Sequence, residues 1–354
     1  MAEIQTDIAN ILHAWRQACR LDPIGDSLVA LAQSLAAVRD FHLFRGLYRE
    51  ALALLKRASD AVSSVCIFDQ EMEALRKTTL CLLLAAQSNI YNRLGLHNES
   101  DEMSLRVLAL ARTLEAPDAL LQACLARATA LARAGIYQEA HPLLVEARTL
   151  AERLALPEAL ATIYYWMGRI FYFTDRYDES RDCLEKGLEI AIKTQNRLHQ
   201  AEILIYLGCL DEWLNKPQSA NAYFEQALAI AQELMALPRQ FAIMQLLSRN
   251  AMLLGNYGRG ITLAQQALAY AMEIEDRLNI VLNYRNLIWA YLALGRMTEA
   301  ERGLEEGWAY LAQLGDQHAE SLFLLQQSLF LQQVGQPAAA YEAAEKSLHV
   351  AEAM

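Results

Sequence analysis

The chain has 354 residues, of which 54% are hydrophobic, and contains only 15 Gly and 7 Pro. Because Ala and Leu dominate the hydrophobic fraction and both favour helix, the composition predicts an all-α protein rather than a β-sheet protein. The formal net charge of −11 argues against a general binder of nucleic-acid phosphates, since such binding is built largely from clustered Lys and Arg. A local basic patch is compatible with this charge.

Residues 1–26 are predicted to form a lead-in helix. They contain no basic segment followed by a long apolar core, and no apolar run in the chain reaches the roughly 18 residues that a membrane span needs. These features predict a soluble cytoplasmic protein without a membrane partner. The cysteines form no CxxC pair, which predicts buried thiols and neither a disulfide framework nor a zinc site. They are Cys19, Cys66, Cys81, Cys124, Cys183 and Cys209.

A six-residue block of the form Gly-x-Tyr-x-Glu-Ala recurs along the chain, as in GIYQEA at Gly135–Ala140. Its copies begin at positions 46, 95, 135, 175, 215, 255, 295 and 335. The last seven are 40 residues apart, whereas the first interval is 49, which predicts an insertion of nine residues near Ser63–Gln70. We therefore divide the chain into the lead-in, a first helix pair with the insertion at 27–76, and regular repeats at 77–354.

Each block is predicted to be a turn between two helices, because Gly or Asn just past a helix end supplies the left-handed residue that terminates it. Small residues recur twelve positions before the last residue of the block and seven positions after it, where they let two helices approach closely. The first set is Ser88, Ala128, Gly168, Gly208, Ser248 and Ser328. The second set is Ala58, Ala147, Gly187, Ala227, Ala267, Gly307 and Ser347.

The period predicts eight helix pairs. First helices are expected near 27–45, 77–94, 117–134, 157–174, 197–214, 237–254, 277–294 and 317–334. Second helices are expected near 48–62, 97–114, 137–154, 177–194, 217–235, 257–274, 297–314 and 337–353.

The order of small residue, block and small residue resembles the tetratricopeptide repeat over nearly the whole chain. This resemblance implies an all-α, right-handed superhelical solenoid of about eight tetratricopeptide-like helix pairs, a fold that usually binds partners rather than catalysing reactions. The period of 40 exceeds the roughly 34 residues typical of that repeat. The excess predicts longer helices.

The N-terminal stretch resembles the segment that leads into the repeats of STAND regulators, signalling ATPases that include MalT-like and AfsR-like transcription activators. The matching residues are Asp7, Asn10, Ile11, Ala14, Trp15, Phe41, Phe44, Arg45, Gly46, Tyr48, Glu50 and Ala51. In that family the repeats form the C-terminal sensor arm, and the resemblance implies the same part here. This sequence contains no GxxxxGK[ST] motif for a nucleotide-binding module. An ordinary helix pair opening a repeat array is the competing interpretation.

The first helix of each pair is expected to line the concave face of the solenoid. On each first helix, the positions expected to face the groove are counted from its small residue, such as Gly168. They lie three residues before it and one, four and five residues after it. In the middle repeats these positions hold aromatic, arginine and other polar side chains, which suit a peptide or a small anionic ligand through stacking, cation–π contact and bidentate hydrogen bonds. The candidates are Tyr165, Arg169, Tyr172, Phe173, Glu212, Trp213, Gln245, Arg249, Arg285 and Trp289. Packing of the aromatic residues between long helices is the competing interpretation.

The sequence predicts no catalytic residue, cofactor or metal site, since it has no HExxH or GxSxG motif and its seven histidines share no register. The predicted function is a ligand- or protein-binding module, the sensor part of a signal-transduction or transcription regulator. Its expected partner is a protein, a peptide or a small inducer in the concave groove, and not nucleic acid. The alternative is a stand-alone scaffold that forms a homodimer through its last helix, where Leu348, Val350 and Ala351 are expected to lack a covering neighbour. A Rap-type phosphatase is disfavoured, because fewer than 50 residues precede the first turn.

Overall fold

The structure, a computed structural model, describes residues 10, 12–17, 26–45, 47–65, 67, 69–314 and 316–352. In these ranges the long elements are sixteen helices in eight pairs, with no strand. The first helices are α1 (Asp26–Arg45), α3 (Gln70–Arg93), α5 (Pro117–Arg133), α7 (Pro157–Phe173), α9 (Arg197–Trp213), α11 (Leu237–Leu253), α13 (Arg277–Ala293) and α15 (Gln317–Gln333). The second helices are α2 (Tyr48–Ser64), α4 (His97–Ala111), α6 (Tyr137–Arg153), α8 (Tyr177–Lys193), α10 (Pro217–Glu233), α12 (Tyr257–Glu273), α14 (Met297–Leu311) and α16 (Pro337–Glu352). The predicted eight helix pairs are confirmed.

The helices form two compact units, Met1–Ile203 and Leu204–Met354, with the boundary inside α9. In the first unit each of α1, α3 and α5 contacts the next first helix along the chain. In the second unit α11 contacts α13, and α13 contacts α15. Successive first helices therefore lie side by side within each unit, as expected for stacked repeats.

The structure corrects the predicted boundary of α3. This helix begins at Gln70 rather than near residue 77, so most of the inserted residues extend a helix instead of forming a loop. The earlier start is stabilised by Asp69, whose side chain accepts a hydrogen bond of 2.9 Å from the backbone N–H of Met72. Arg76 then pairs with Glu73 in the first turn and donates a hydrogen bond of 3.1 Å to the backbone oxygen of Val62 in α2.

The turns carry left-handed residues at intervals of 20, one per helix end, over much of the array. Glycine fills this position at Gly95, Gly135, Gly255, Gly295 and Gly335, with φ between 69° and 78°. Asp and Asn occupy it after α7 and α9, and other residues with side chains occupy it after second helices. The non-glycine residues with positive φ are Ala155, Asp175, Gln195, Asn215, Met235 and Glu275. The predicted left-handed glycine or asparagine is present in the described blocks except at Asp175, whereas second helices end in other residues. GNYGRG is a turn in which Asn256 accepts a hydrogen bond from the N–H of Arg259.

Met235→Gly is expected to raise the free energy of unfolding by about 0.5–1 kcal/mol, because a left-handed residue with a Cβ is strained by roughly 1–2 kcal/mol. Met235 has φ 51° and a side chain that is 46% exposed, so little packing is lost with it. The measurement is urea unfolding followed by circular dichroism. Gly255→Ala, at φ 73°, is the matched control and should lower stability. A loss of stability in Met235→Gly would contradict this account of the turn.

The recurring small residues lie where paired helices touch, as predicted. Ser180 Oγ in α8 donates a hydrogen bond of 2.8 Å to the carbonyl oxygen of Gly168 in α7. Ser248 in α11 makes the same 2.8 Å bond to Gly260 in α12. A Cβ added at Gly208 would come within 2.5 Å of the Phe224 ring, so a side chain there would separate the two helices.

In the lead-in, residues 12–17 are helical and Trp15 is buried among apolar residues of α1, α2 and α3. Asp7, Ile11 and Gly46 of the STAND-like pattern lie outside the described residues, as do Cys19 and Cys66. Burial raises the pKa of Cys81 to about 11 and that of Cys124 to about 12, as expected for packed thiols. Within the described ranges, no helix is long and apolar enough to cross a membrane.

Candidate ligand-binding site

In the first unit, an arginine cluster joins four first helices. It comprises Arg93 of α3, Arg133 of α5, Arg169 of α7 and the carboxylate of Glu202 in α9. Arg93 Nη2 donates a hydrogen bond of 3.2 Å to Glu202 Oε1. The Glu202 side chain is only 5% exposed, and 109 residues separate it from Arg93. The pair thus links the first helices of the second and fifth repeats.

The pKa values of two of these arginines move in opposite directions. Burial opposes the charge of Arg93, but Glu202 holds its pKa above the ordinary value. Burial, together with the neighbouring Arg93 and Arg169, lowers the pKa of Arg133 to about 10, against the opposing influence of Tyr165 and Glu202. The position of Arg133 is therefore unfavourable for a cation unless an anion approaches it.

Aromatic rings hold two of these guanidinium groups. The guanidinium carbon of Arg169 lies 4.4 Å from the centre of the Trp166 ring, and that of Arg133 lies 5.4 Å from it. Arg169 also lies 5.7 Å from the Tyr165 ring and 6.0 Å from the Phe173 ring. These are cation–π contacts, which help to orient the guanidinium groups of Arg133 and Arg169.

Arg133 also has an unsatisfied donor. Its Nε is buried and has no hydrogen-bond partner among the described residues. A buried N–H without a partner costs about 1–3 kcal/mol, and arginine donors match the oxygens of carboxylates and phosphates. The chemistry that fits this position is an oxyanion.

The second unit has a related arrangement on its own first helices. Arg249 of α11 donates to both carboxylate oxygens of Glu212 in α9, with 3.2 Å between Arg249 Nε and Glu212 Oε1. Arg285 of α13 lies beside this pair, and burial together with Arg249 lowers its pKa to about 10, against the opposing effect of Glu212. Its Nη2 donates a hydrogen bond of 3.1 Å to Asn286 Oδ1. Each unit therefore places an additional arginine beside an arginine–glutamate pair.

The structure brings most of the predicted residues into these two groups. Arg169, Tyr165 and Phe173 share the first, and the Tyr172 ring lies 5.2 Å from that of Phe173. Glu212, Arg249 and Arg285 form the second, and Asn286 Nδ2 donates to the backbone oxygen of Gln245. The side chains differ in exposure. Tyr165 and Gln245 are buried, Trp289 is half-buried, Phe173 is 47% exposed and Trp213 is 65% exposed.

The sequence prediction missed Arg93, Arg133, Trp166 and Glu202. A signal for two of them was present, since Arg93 and Arg133 stand five residues after Ser88 and Ala128, at the same offset as Phe173 and Trp213. The predicted site covers only the middle repeats, whereas Arg93 and Arg133 lie in the second and third helix pairs. Trp166 is buried, and its ring contacts the guanidinium groups of both Arg133 and Arg169.

Comparisons with known proteins agree with this repeat architecture. The family model for the tetratricopeptide repeat matches residues 159–233. No curated protein sequence matches the chain.

Among solved structures, the chain is similar to a STAND protein with a tetratricopeptide repeat sensor from Pyrococcus horikoshii, with TM-score 0.63 and 15% identity over 91% of this chain and 49% of that one. It is similar to a Rap protein complexed with competence and sporulation factor, with TM-score 0.64 and 12% identity over 91% and 98% of the two chains. It is also similar to the Rap conjugation gene regulator of plasmid pLS20 in complex with a Phr peptide, with TM-score 0.61 and 13% identity over 97% and 94%. At these identities the likeness concerns the fold.

The repeat model matched over residues 159–233 and the eight helix pairs show a fold built from tetratricopeptide-like repeats. Its arrangement of helix pairs resembles that of a STAND repeat sensor. Such repeats are a binding or regulatory scaffold.

Proposed function

We propose that this protein is a non-catalytic binding module that takes a peptide segment with acidic groups on the faces of its first helices, and that it is the sensor part of a signalling regulator. The observation that carries the proposal is the additional arginine beside an arginine–glutamate pair in each unit, Arg133 in one and Arg285 in the other. An acidic group provides the missing counter-charge at either position.

Exposed aromatic side chains support a peptide as the occupant. Trp213 follows Glu212 directly, and Phe173 lies near Arg169. Aromatic and arginine side chains together are enriched where peptides and proteins bind tightly. The Rap regulator that this fold resembles was solved with a peptide, and the STAND protein carries its repeats as a sensor.

The test is selection of a random-sequence peptide library on the full chain, followed by calorimetry with synthesised peptides. We expect enrichment of sequences with Asp or Glu. Replacing Arg133 and Arg169 by Gln, or Arg249 and Arg285 by Gln, should weaken binding at least about tenfold, as expected for the loss of charge-assisted hydrogen bonds. Helicity measured by circular dichroism should stay unchanged.

The matched control removes two exposed arginines, Arg106 and Arg153, so that net charge changes equally. This variant should bind like the wild type. The proposal fails if no sequence is enriched, or if enriched peptides bind both cluster variants as tightly as the control. Enrichment that depends only on net charge, with equal losses in all three variants, would also contradict it.

A further inference from the structure

We propose that Arg93, Arg133 and Arg169 form an oxyanion site in which Glu202 acts as an internal competitor, so that a carboxylate or phosphate of the ligand replaces Glu202 among the guanidinium groups. This inference rests on the proposed function, because it names the chemical group that the first helices of one unit recognise. It also assigns a competing role to Glu202, which the proposed function uses only as the partner of Arg93.

The pairing between Arg93 and Glu202 leaves donors for a second anion. Arg93 donates one N–H to one oxygen of Glu202, at 3.2 Å, whereas a guanidinium has five N–H donors. The Arg93 side chain is 27% exposed, so solvent and solutes reach it. An oxyanion can therefore accept hydrogen bonds from N–H groups of Arg93 that Glu202 does not use.

Arg133 favours the binding of an anion deeper in the arginine cluster. Its Nε is buried without a hydrogen bond among the described residues, and it lies beside two other guanidinium groups. An oxyanion beside Arg133 accepts a hydrogen bond from its Nε–H and reduces the repulsion between the neighbouring guanidinium groups. Contact with Trp166 holds both Arg133 and Arg169, so the donors are oriented before the ligand arrives.

Displacement of Glu202 has a structural consequence within the same unit. Its bond to Arg93 connects α3 with α9 past α5 and α7. A ligand oxyanion that enters through the unused donors of Arg93 releases this connection when it also takes over the N–H that Glu202 accepts, because one N–H is shared poorly between two acceptors. Ligand binding and the link between these helices are thus competing states.

The experiment is calorimetric titration of the full chain with inorganic phosphate and, separately, with acetate, both against chloride at the same ionic strength to hold screening constant. Phosphate and acetate distinguish the two sources of the oxyanion. We expect at least one of them to bind, with a loss of about tenfold or more in Arg133→Gln and a gain of about tenfold in Glu202→Gln. The control Arg106→Gln, at an exposed site on α4, should bind like the wild type.

The inference is overturned if Arg133→Gln binds both probes as the wild type does, or if Glu202→Gln binds neither probe more tightly. Should Glu202→Gln fail to fold, Glu202→Asp replaces it, since a shorter carboxylate reaches Arg93 less well. The affinity of Glu202→Asp for the bound probe should exceed that of the wild type.

Failure of this inference can be distinguished from failure of the proposed function. Phosphate binding at Arg133 without any enriched peptide contradicts only the peptide function, whereas enriched peptides with no anion binding at Arg133 contradict only this inference.

Discussion

Glu202→Gln is expected to lower the free energy of unfolding by about 3 kcal/mol, the usual scale for removing one partner of a largely buried ion pair. Glu202 is 5% exposed on its side chain and is the carboxylate bonded to Arg93. Without it, Arg93 and Arg133 keep their charges in the same desolvated region and repel each other. Urea unfolding followed by circular dichroism, in buffer without phosphate, measures the loss.

The control for this prediction is Glu189→Gln, which removes an exposed pair with Lys193 one helical turn away. Such a solvent-exposed pair contributes little to stability, so the control should remain close to wild type. Added phosphate should recover more stability in Glu202→Gln than in the wild type, because a ligand stabilises the folded state in proportion to its affinity. Equal stability of the two variants would contradict a buried ion pair at Glu202.

Gly307→Ala is expected to lower the free energy of unfolding by about 2 kcal/mol, because overpacking a filled core costs typically 1–3 kcal/mol. Gly307 lies in α14 at the recurring small position, and a Cβ there would overlap the ring of Phe323 in α15. The ring is fully buried, so it has no solvent into which to move. The helix preference of Ala over Gly offsets only part of this cost.

The same substitution at Gly258 is the matched control. Gly258 lies in the first turn of α12, and a Cβ added there meets no atom within 4 Å. Gly258→Ala should therefore raise stability by about 0.5–1 kcal/mol through helix propensity alone. Combining Gly307→Ala with Phe323→Leu should cost less than the two single losses added together. Additive losses would show that Gly307 and Phe323 do not compete for space.

The repeat period predicted the fold because it reports on geometry that recurs in every copy. Glycine at positions such as Gly135 and Gly255 is required by a backbone with positive φ, and small residues such as Gly168 are required by close helix contact. These demands leave a fixed spacing in the sequence. The start of α3 escaped prediction because the inserted residues happen to favour helix, with Asp69 as cap and Glu73 paired with Arg76.

The candidate site was predicted less completely, for a different physical reason. A recurring offset indicates which side of a helix a residue occupies, and it led to Arg169, Arg249 and Arg285. It does not indicate which partner a long side chain meets. The bond between Arg93 and Glu202 joins residues 109 apart, and Glu202 stands at none of the offsets considered. Such a contact follows from how the repeats stack, which the pattern of one repeat does not contain.

A crystal structure of the full chain with an acidic peptide recovered from the library tests the central claim most directly. The account predicts a carboxylate of the peptide within hydrogen-bonding distance of Arg133 in the first unit or Arg285 in the second, with the peptide lying on first helices. In the first case Arg93 should have lost its hydrogen bond to Glu202. A peptide seated on the second helices, with its acidic groups away from both arginines, would contradict the account.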